Sequence, residues 1–281
     1  MIAIVTDSAS DIPADLAERH NITVVPAIIN VGQDTYRDGV DMTREQFYEQ
    51  LPSMHPHPMT SAPSPAAFLE AYERTLGRAK QVLSLHLSSK LSGIYNVARL
   101  AAEQLAPARI HVLDTGQLSM GVGWVSLLAA EMSERGESIE AMIHSVQDSL
   151  SRIHTYALLN TVEYVARSGR INLVQAGIST ILNIKPMVEV REGVLASLER
   201  VRTWSRAVAS LRDRVRELAP LECLAVMHTN AKDAAQELMD QFKELVPHPK
   251  KSVVTDATPA IGVHAGPGAL GISAILSRKN N

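Results

Sequence analysis

The stretch Pro186–Val201, PMVEVREGVLASLERV, decides how the second half of this chain folds. Two strand-like runs, Pro186–Val190 and Val194–Val201, flank Glu192-Gly193, and a two-residue break ending in glycine is a hairpin signal. A hairpin implies antiparallel pairing, so this half cannot be a copy of a parallel βα unit. Outward from it, Ile153–Leu159 reads as a strand followed by two helical segments. Helices near 204–218 and 231–246, strands at Cys223–His228 and Lys251–Asp256, and a final helix from Gly268 complete an α+β domain. Upstream, apolar runs at Ile2–Val5, Ile22–Ile29, Gln81–His86 and Ile110–Leu113 alternate with helix-like stretches near 14–20, 43–50, 65–78, 91–105 and 119–134. That alternation is the order of an α/β unit with a parallel sheet. Pro13 stands in a first turn after Asp11, and Ser64-Pro65 reads as an N-cap followed by proline at the first helical position. The expected fold class is α/β: an N-terminal parallel-sheet domain over 1–150 and a C-terminal α+β domain with antiparallel pairing over 151–281. The Pro-rich Leu51–Pro65 reads as an extended loop, not a linker, because another α/β unit follows it.

Composition narrows the function. The 281 residues are 46% hydrophobic and 20% charged, enough apolar material for a large core and too much for a disordered chain. Lys and Arg total 27 against 30 Asp and Glu, a net charge of -3, so there is no basic footprint for nucleic acid. The single Cys223 cannot form an internal disulfide, and MIAIVTDSAS lacks a secretory pattern, so the expected location is cytoplasmic. Stable membrane insertion is not expected, since even Ile171–Ile184 is interrupted by Asn172, Gln175 and Asn183. Aromatics are only 4%, leaving Ala, Val, Leu, Ile and Met to build an interior that lines an aliphatic cavity as readily as it packs solid.

Several segments carry chemistry-bearing side chains. Thr6-Asp7-Ser8-Ala9-Ser10-Asp11 follows the first strand, where a parallel sheet presents its ligand-binding edge, and equally suits turn and cap duty. His86-Leu87-Ser88-Ser89-Lys90-Leu91-Ser92-Gly93 gathers hydroxyls and free N–H groups before a helix, a place that accepts an anion. Thr60 and Ser61 close the Pro-rich loop with further neutral donors. Gly266-Pro267-Gly268-Ala269-Leu270-Gly271 formally matches a dinucleotide fingerprint but lacks the strand before it and the acidic residue about 20 positions on. His264 then stands on a glycine-rich approach to a helix N-terminus, either structural or anion-holding. Ala166-Arg167-Ser168-Gly169-Arg170 reads as a basic helix C-terminus capped by Gly169. His55-Pro56-His57 is an incomplete metal set, so no metal is expected, and neither a nucleophile elbow nor a Walker loop occurs.

Taken together, IAIVTDSASDIP, MTSAPSPAAF, LHLSSKLSGIYNVA, EYVARSGRI and GVHAGPGALG resemble, in order and spacing, the DegV family of bacterial fatty-acid-binding proteins. The chain departs from the usual pattern at Ala62 and Ile94 without removing the hydroxyls of Thr60, Ser61 or Ser92. The resemblance implies a long-chain fatty acid enclosed between two domains, its carboxylate held by Thr60 and Ser92 with Ser61 and His264 adjoining. By the same mapping Arg170 approaches the head group from the second domain, and an arginine at a helix end, slightly farther from the carboxylate, is expected to serve phosphoryl transfer or contact with a partner. On this reading the protein is not itself an enzyme and needs no cofactor. It is a carrier that presents its lipid to a separate ATP-dependent fatty acid kinase, which makes acyl phosphate for phospholipid synthesis. Neutral donors suit that task, because a close bidentate arginine would stabilise the carboxylate and lower its nucleophilicity. The alternative is a serine-dependent lipid or ester hydrolase with Ser92 as nucleophile and His264 as base. A nucleotide-binding enzyme ranks lower, since phosphate-loop lysine and ribose-binding acid are both missing.

Overall fold

The computed structural model describes residues 1–170, 184–246, 248 and 251–278, with the backbone of 174–175. The first half opens with β1 (Ile2–Asp7), α1 (Ala14–Arg19), β2 (Thr23–Val25), β3 (Ile28–Val31), β4 (Asp34–Arg37), α2 (Arg44–Gln50) and β5 (Met59–Ser61). There follow α3 (Pro65–Leu76), β6 (Gln81–His86), α4 (Ile94–Leu105), β7 (Ile110–Asp114), α5 (Met120–Glu134) and α6 (Ile139–Leu150). Strands β2, β1, β6 and β7 lie side by side in a parallel sheet. Every residue of β1 is buried, as a parallel strand covered by helices on both faces must be. Helix starts follow local capping: Ser64 accepts from the Ala67 N–H ahead of Pro65, and Thr43 forms a reciprocal box with Gln46.

Two expectations need correction here. The run Ile22–Ile29 is not one strand: β2 belongs to the parallel sheet, and β3 enters a separate antiparallel sheet ordered β4-β3-β5. Pro26 falls between them, where a residue without an N–H ends a ladder. The loop Leu51–Pro65 accordingly contains strand β5, paired to β3 with Ile29 opposite Thr60. Helix α6 also forms, capped by Ser138, where the sequence reading placed no element.

The second half contains β8 (Ile153–Leu158), α7 (Glu163–Arg167), β9 (Val174–Gln175), β10 (Lys185–Arg191), β11 (Val194–Val201), α8 (Trp204–Glu217) and β12 (Leu221–His228). It ends with α9 (Lys232–Asp240), β13 (Ser252–Asp256), α10 (Pro259–Ala265) and β14 (Leu270–Leu276). Its mixed sheet runs β13-β12-β14-β8-β10-β11-β9, with β12–β13 and β11–β9 parallel and the remaining pairs antiparallel. The hairpin β10–β11 forms as its turn residues require, with positive φ at Glu192 (51°) and Gly193 (79°). The expected final helix from Gly268 is instead β14, inserted between β12 and β8. Its side chains are covered on both faces, so the strand shows no alternation that would betray it. The expected helix over 231–246 ends at Asp240, and the second helical segment expected after β8 lies outside the described residues except at 174–175, which are strand β9.

Helix α5 joins the halves. It is apolar almost all round because it packs against β1 and β6 on one side and β8, β12 and β14 on the other. Trp124 Nε1 donates to the Ser273 carbonyl at 3.2 Å, and burying Trp124, Val125, Leu127 and Met132 contributes about 1.5–3 kcal/mol each. The loop entering this fixed helix brings Leu118 to the cavity described next.

Candidate functional site

A cavity lies where β5, the turn before α4, α10 and the segment after α7 meet. Its polar end is formed by Thr60, Ser61, Ser92, Arg170 and His264, and its walls by residues such as Leu87, Ile94, Leu118, Leu159, Val188 and Ile261. About 1050 Å³ outside protein atoms is gathered there, part of it open to solvent. The five polar residues singled out from sequence thus share one cavity while coming from positions 60 to 264.

Each is delivered by a local device. Thr60 is the middle residue of β5, fixed by pairing with Ile29. Ser61 is exposed at the cavity edge, accepting from Asn30 Nδ2 at 3.1 Å. Ser92 precedes the first turn of α4; its Oγ lies 3.4 Å from the Ile94 N–H, a contact too long to hold it firmly. Arg170 follows a Schellman end to α7: the Gly169 N–H donates to Ala166 O at 3.1 Å and the Arg170 N–H to Val165 O at 3.0 Å. The capping role expected of ARSGR is therefore present, and the same turn carries Arg170 to the cavity wall.

His264 is placed differently from the expectation. It sits in the last turn of α10, not on an approach to a helix N-terminus, and the glycines after it lead into β14. Its Nε2 is 2.9 Å from Thr60 Oγ1 and its Nδ1 is 2.8 Å from Ser168 Oγ, which also lies 2.7 Å from the Tyr164 carbonyl. Burial foremost, then the charge of Arg170 and the neighbouring His57, pushes the His264 pKa down to about 3, so the ring is neutral at physiological pH. The Ser168 hydroxyl donates to the Tyr164 carbonyl, so in a neutral ring Nδ1–H donates to Ser168 and the bare Nε2 accepts from the Thr60 O–H. Only when Ser168 turns from Tyr164 to donate to Nδ1 does Nε2 carry the proton and leave the Thr60 O–H free to point into the cavity. Ser168 is the residue at this site that sequence reading passed over; it lay inside the quoted ARSGR run, with nothing local to show its contact with a histidine 96 residues away.

The other candidates are structural. Ser88 is buried and donates to the Gly193 carbonyl at 2.7 Å, while Lys90 Nζ donates to Glu192 O at 2.8 Å, so the turn before α4 clasps the tip of the β10–β11 hairpin. In the opening segment Asp7 accepts from His86 Nδ1 at 2.8 Å and from the Ala9 N–H, Ser8 donates to Asp38 at 2.6 Å, and Asp11 accepts from the Thr258 N–H at 2.7 Å and from Ser119. Only Ala9 of that segment lines the cavity. Ser84, His86 and Asp7 form a hydrogen-bonded row reminiscent of a hydrolytic triad, yet all three are fully buried with no route for a substrate. The Ser92–His264 hydrolase is not favoured either: His264 is bonded to Thr60 and Ser168, and a neutral ring with so low a pKa is a weak base. Among the described residues no cluster of three metal-ligating side chains forms, and no helix is long and apolar enough to cross a membrane.

Comparison with known proteins matches residues 1–277 to a family model described as "Uncharacterised protein, DegV family". A DegV domain-containing protein of Streptomyces coelicolor is 35% identical over 275 residues, covering 96% of this chain and 97% of its own. Among solved structures, a DegV family protein from Thermus thermophilus, described for fatty acid binding, superposes with a TM-score of 0.89 at 32% identity, covering 98% of this chain and 99% of its own. DegV of Bacillus subtilis, described as a fatty acid binding protein, superposes with a TM-score of 0.87 at 27% identity, covering 98% and 99%.

Proposed function

The chain belongs to the DegV family, and from that premise we propose that it encloses one long-chain fatty acid and presents its carboxylate to a separate kinase. The observation that carries this reading is the polarity of the cavity: three hydroxyls, a neutral histidine and Arg170 at one end, aliphatic walls along the rest. In this proposal the lipid lies between an N-terminal domain, residues 1–150, and a C-terminal domain, 151–281. Thr60 and Ser92 donate to the carboxylate, with Ser61 and His264 adjoining. Burying about 14 methylenes at about 0.8 kcal/mol each contributes roughly 11 kcal/mol before ordering costs, against about 1 kcal/mol for a net hydrogen bond. The tail therefore sets affinity and the hydroxyls set position.

The carrier performs no chemistry alone. A carboxylate oxygen attacks the γ-phosphorus of ATP supplied by the kinase, the bond from that phosphorus to ADP breaks, and an acyl phosphate forms for phospholipid synthesis. Donors without charge leave the carboxylate nucleophilic, while Arg170, at the cavity wall, is placed to offset charge on the transferring phosphoryl group or to meet the partner. The proposed setting is the cytoplasm. Extraction and mass analysis of purified protein test the reading: roughly one equivalent of an acid of about 14 to 20 carbons is expected. Protein that carries no lipid and takes up none of such a panel overturns it.

A further inference from the structure

A second apolar lobe of about 480 Å³ adjoins the cavity and shares wall residues Leu118, Ala157, Leu159, Val188, Ile261 and Leu195 with it. It holds none of the five head-group residues. Ala157 on β8 and Leu159 just after it line both lobes but Thr155 only the second, so the second lobe runs toward the start of β8, about 7 Å past Ala157 at a strand's rise. Its floor is a single row of paired residues across the mixed sheet: Met227 on β12 opposite Gly271 on β14, Gly271 opposite Ala157 on β8, and Ala157 opposite Val188 on β10. Two adjacent small residues between two larger ones leave a trough in the sheet face.

The trough ends in polar groups whose bonds are already made. Thr155 Oγ1 donates to Gln117 Oε1 at 3.1 Å and lies 3.2 Å from Ser273 Oγ. The hydroxyls of Ser119 and Thr229, also on the lobe, are given to Asp11 and to the Gly266 carbonyl. That end offers a carboxylate no free hydroxyl among these groups, and its closed network blocks a longer chain.

We infer that the Gly271–Ala157 trough seats the methyl end of the acyl chain and that the absent side chain at Gly271 determines how long a chain the protein accepts. The inference rests on the fatty-acid reading and deepens it by naming the residue that sets the limit on acyl-chain length. Gly271 lies in ordinary strand backbone, and a Cβ there would stand 3.0 Å from Met227 Cε, the movable end of a flexible side chain, and 3.5 Å from Tyr156 O. An added Cβ is thus accommodated once the end of Met227 moves aside, and it projects into the lobe.

The experiment measures affinities of wild type and Gly271→Val for saturated acids of about 14 and about 18 carbons, with melting temperatures in parallel. Displacing about two methylenes, each worth about fourfold, weakens the longer acid by about 15-fold in the variant and changes the shorter one less than about threefold. An equal change for both acids, or none for either, overturns the inference while leaving the carrier reading intact. Wild-type protein that binds neither acid overturns the carrier reading itself. Gly271→Ala, whose single added methyl confronts only the movable end of Met227, gives the same selective weakening in smaller measure should Gly271→Val fail to fold.

Discussion

Replacing Gly266 by alanine tests the most consequential difference between sequence and structure, the meaning of GPGALG. Gly266 ends α10 with φ 69° and ψ 173°, a region that residues with a Cβ avoid at a cost of order 1–3 kcal/mol. An alanine Cβ would fall 2.2 Å from Tyr164 Cδ2 and 2.6 Å from Cγ, so the tyrosine ring must move, adding about 1–3 kcal/mol of overpacking. The sum is about 2–6 kcal/mol, and at about 2–4 °C per kcal/mol for chains of roughly this size the melting temperature falls by roughly 4–24 °C. The displacement also reaches the site, because the Tyr164 carbonyl is bonded to Ser168, which orients His264. Gly268→Ala is the companion variant: Gly268 has φ 80°, and its added Cβ would meet Asn160 Nδ2 at 3.2 Å, so destabilisation is expected there too. Had a helix begun at Gly268, alanine would be neutral or stabilise by up to about 1 kcal/mol. Thermal unfolding followed by near-UV circular dichroism decides the sign, and an unchanged or raised melting temperature in both variants refutes the turn geometry argued here.

Thr60→Ala and Ser92→Ala should each weaken fatty-acid binding by about 0.5–1.5 kcal/mol with folding retained; titration of both variants giving wild-type affinity would remove these hydroxyls from the head-group site. Arg170→Ala should retain lipid affinity yet lose kinase-coupled turnover, whereas normal turnover with a lowered melting temperature would leave only a role at the helix end. Burial raises the Asp38 carboxyl to about 6 against Ser8, Arg44 and Ala260, so the folded state holds a proton that the unfolded state releases between about pH 4 and 6. Its contribution to stability therefore falls as pH rises through that window, by up to about 3 kcal/mol, and Asp38→Asn should flatten that part of a melting-temperature profile. His264 acts in the opposite sense: its pKa is lowered to about 3, so stability is lost as pH drops below about 6.5, and His264→Gln should remove that loss. Profiles of the two variants that parallel wild type would contradict these assignments.

The features legible in the sequence are those written within a few residues of one another. Glu192-Gly193 specifies its hairpin because a two-residue turn with positive φ needs no distant partner, and Ser64-Pro65 starts α3 from the hydrogen bond it makes three residues on. The alternation of apolar runs and helix-like stretches is enough for a parallel sheet first, and the hairpin for antiparallel pairing second. The five quoted motifs pointed to the residues of the cavity through resemblance; from the residues alone, hydroxyls at 60–61 and 88–92 were only a supply of neutral donors. Tertiary structure decided which of them face the cavity. Ser88 is taken by a carbonyl 105 residues away, whereas Thr60 meets His264 across 204 residues. It also decided that Leu270–Leu276 is a strand and that Ile22–Ile29 divides between two sheets. A strand covered on both faces loses its period of two, and only the neighbours β8 and β12, which lie far along the chain, supply the hydrogen-bonding partners that make it one.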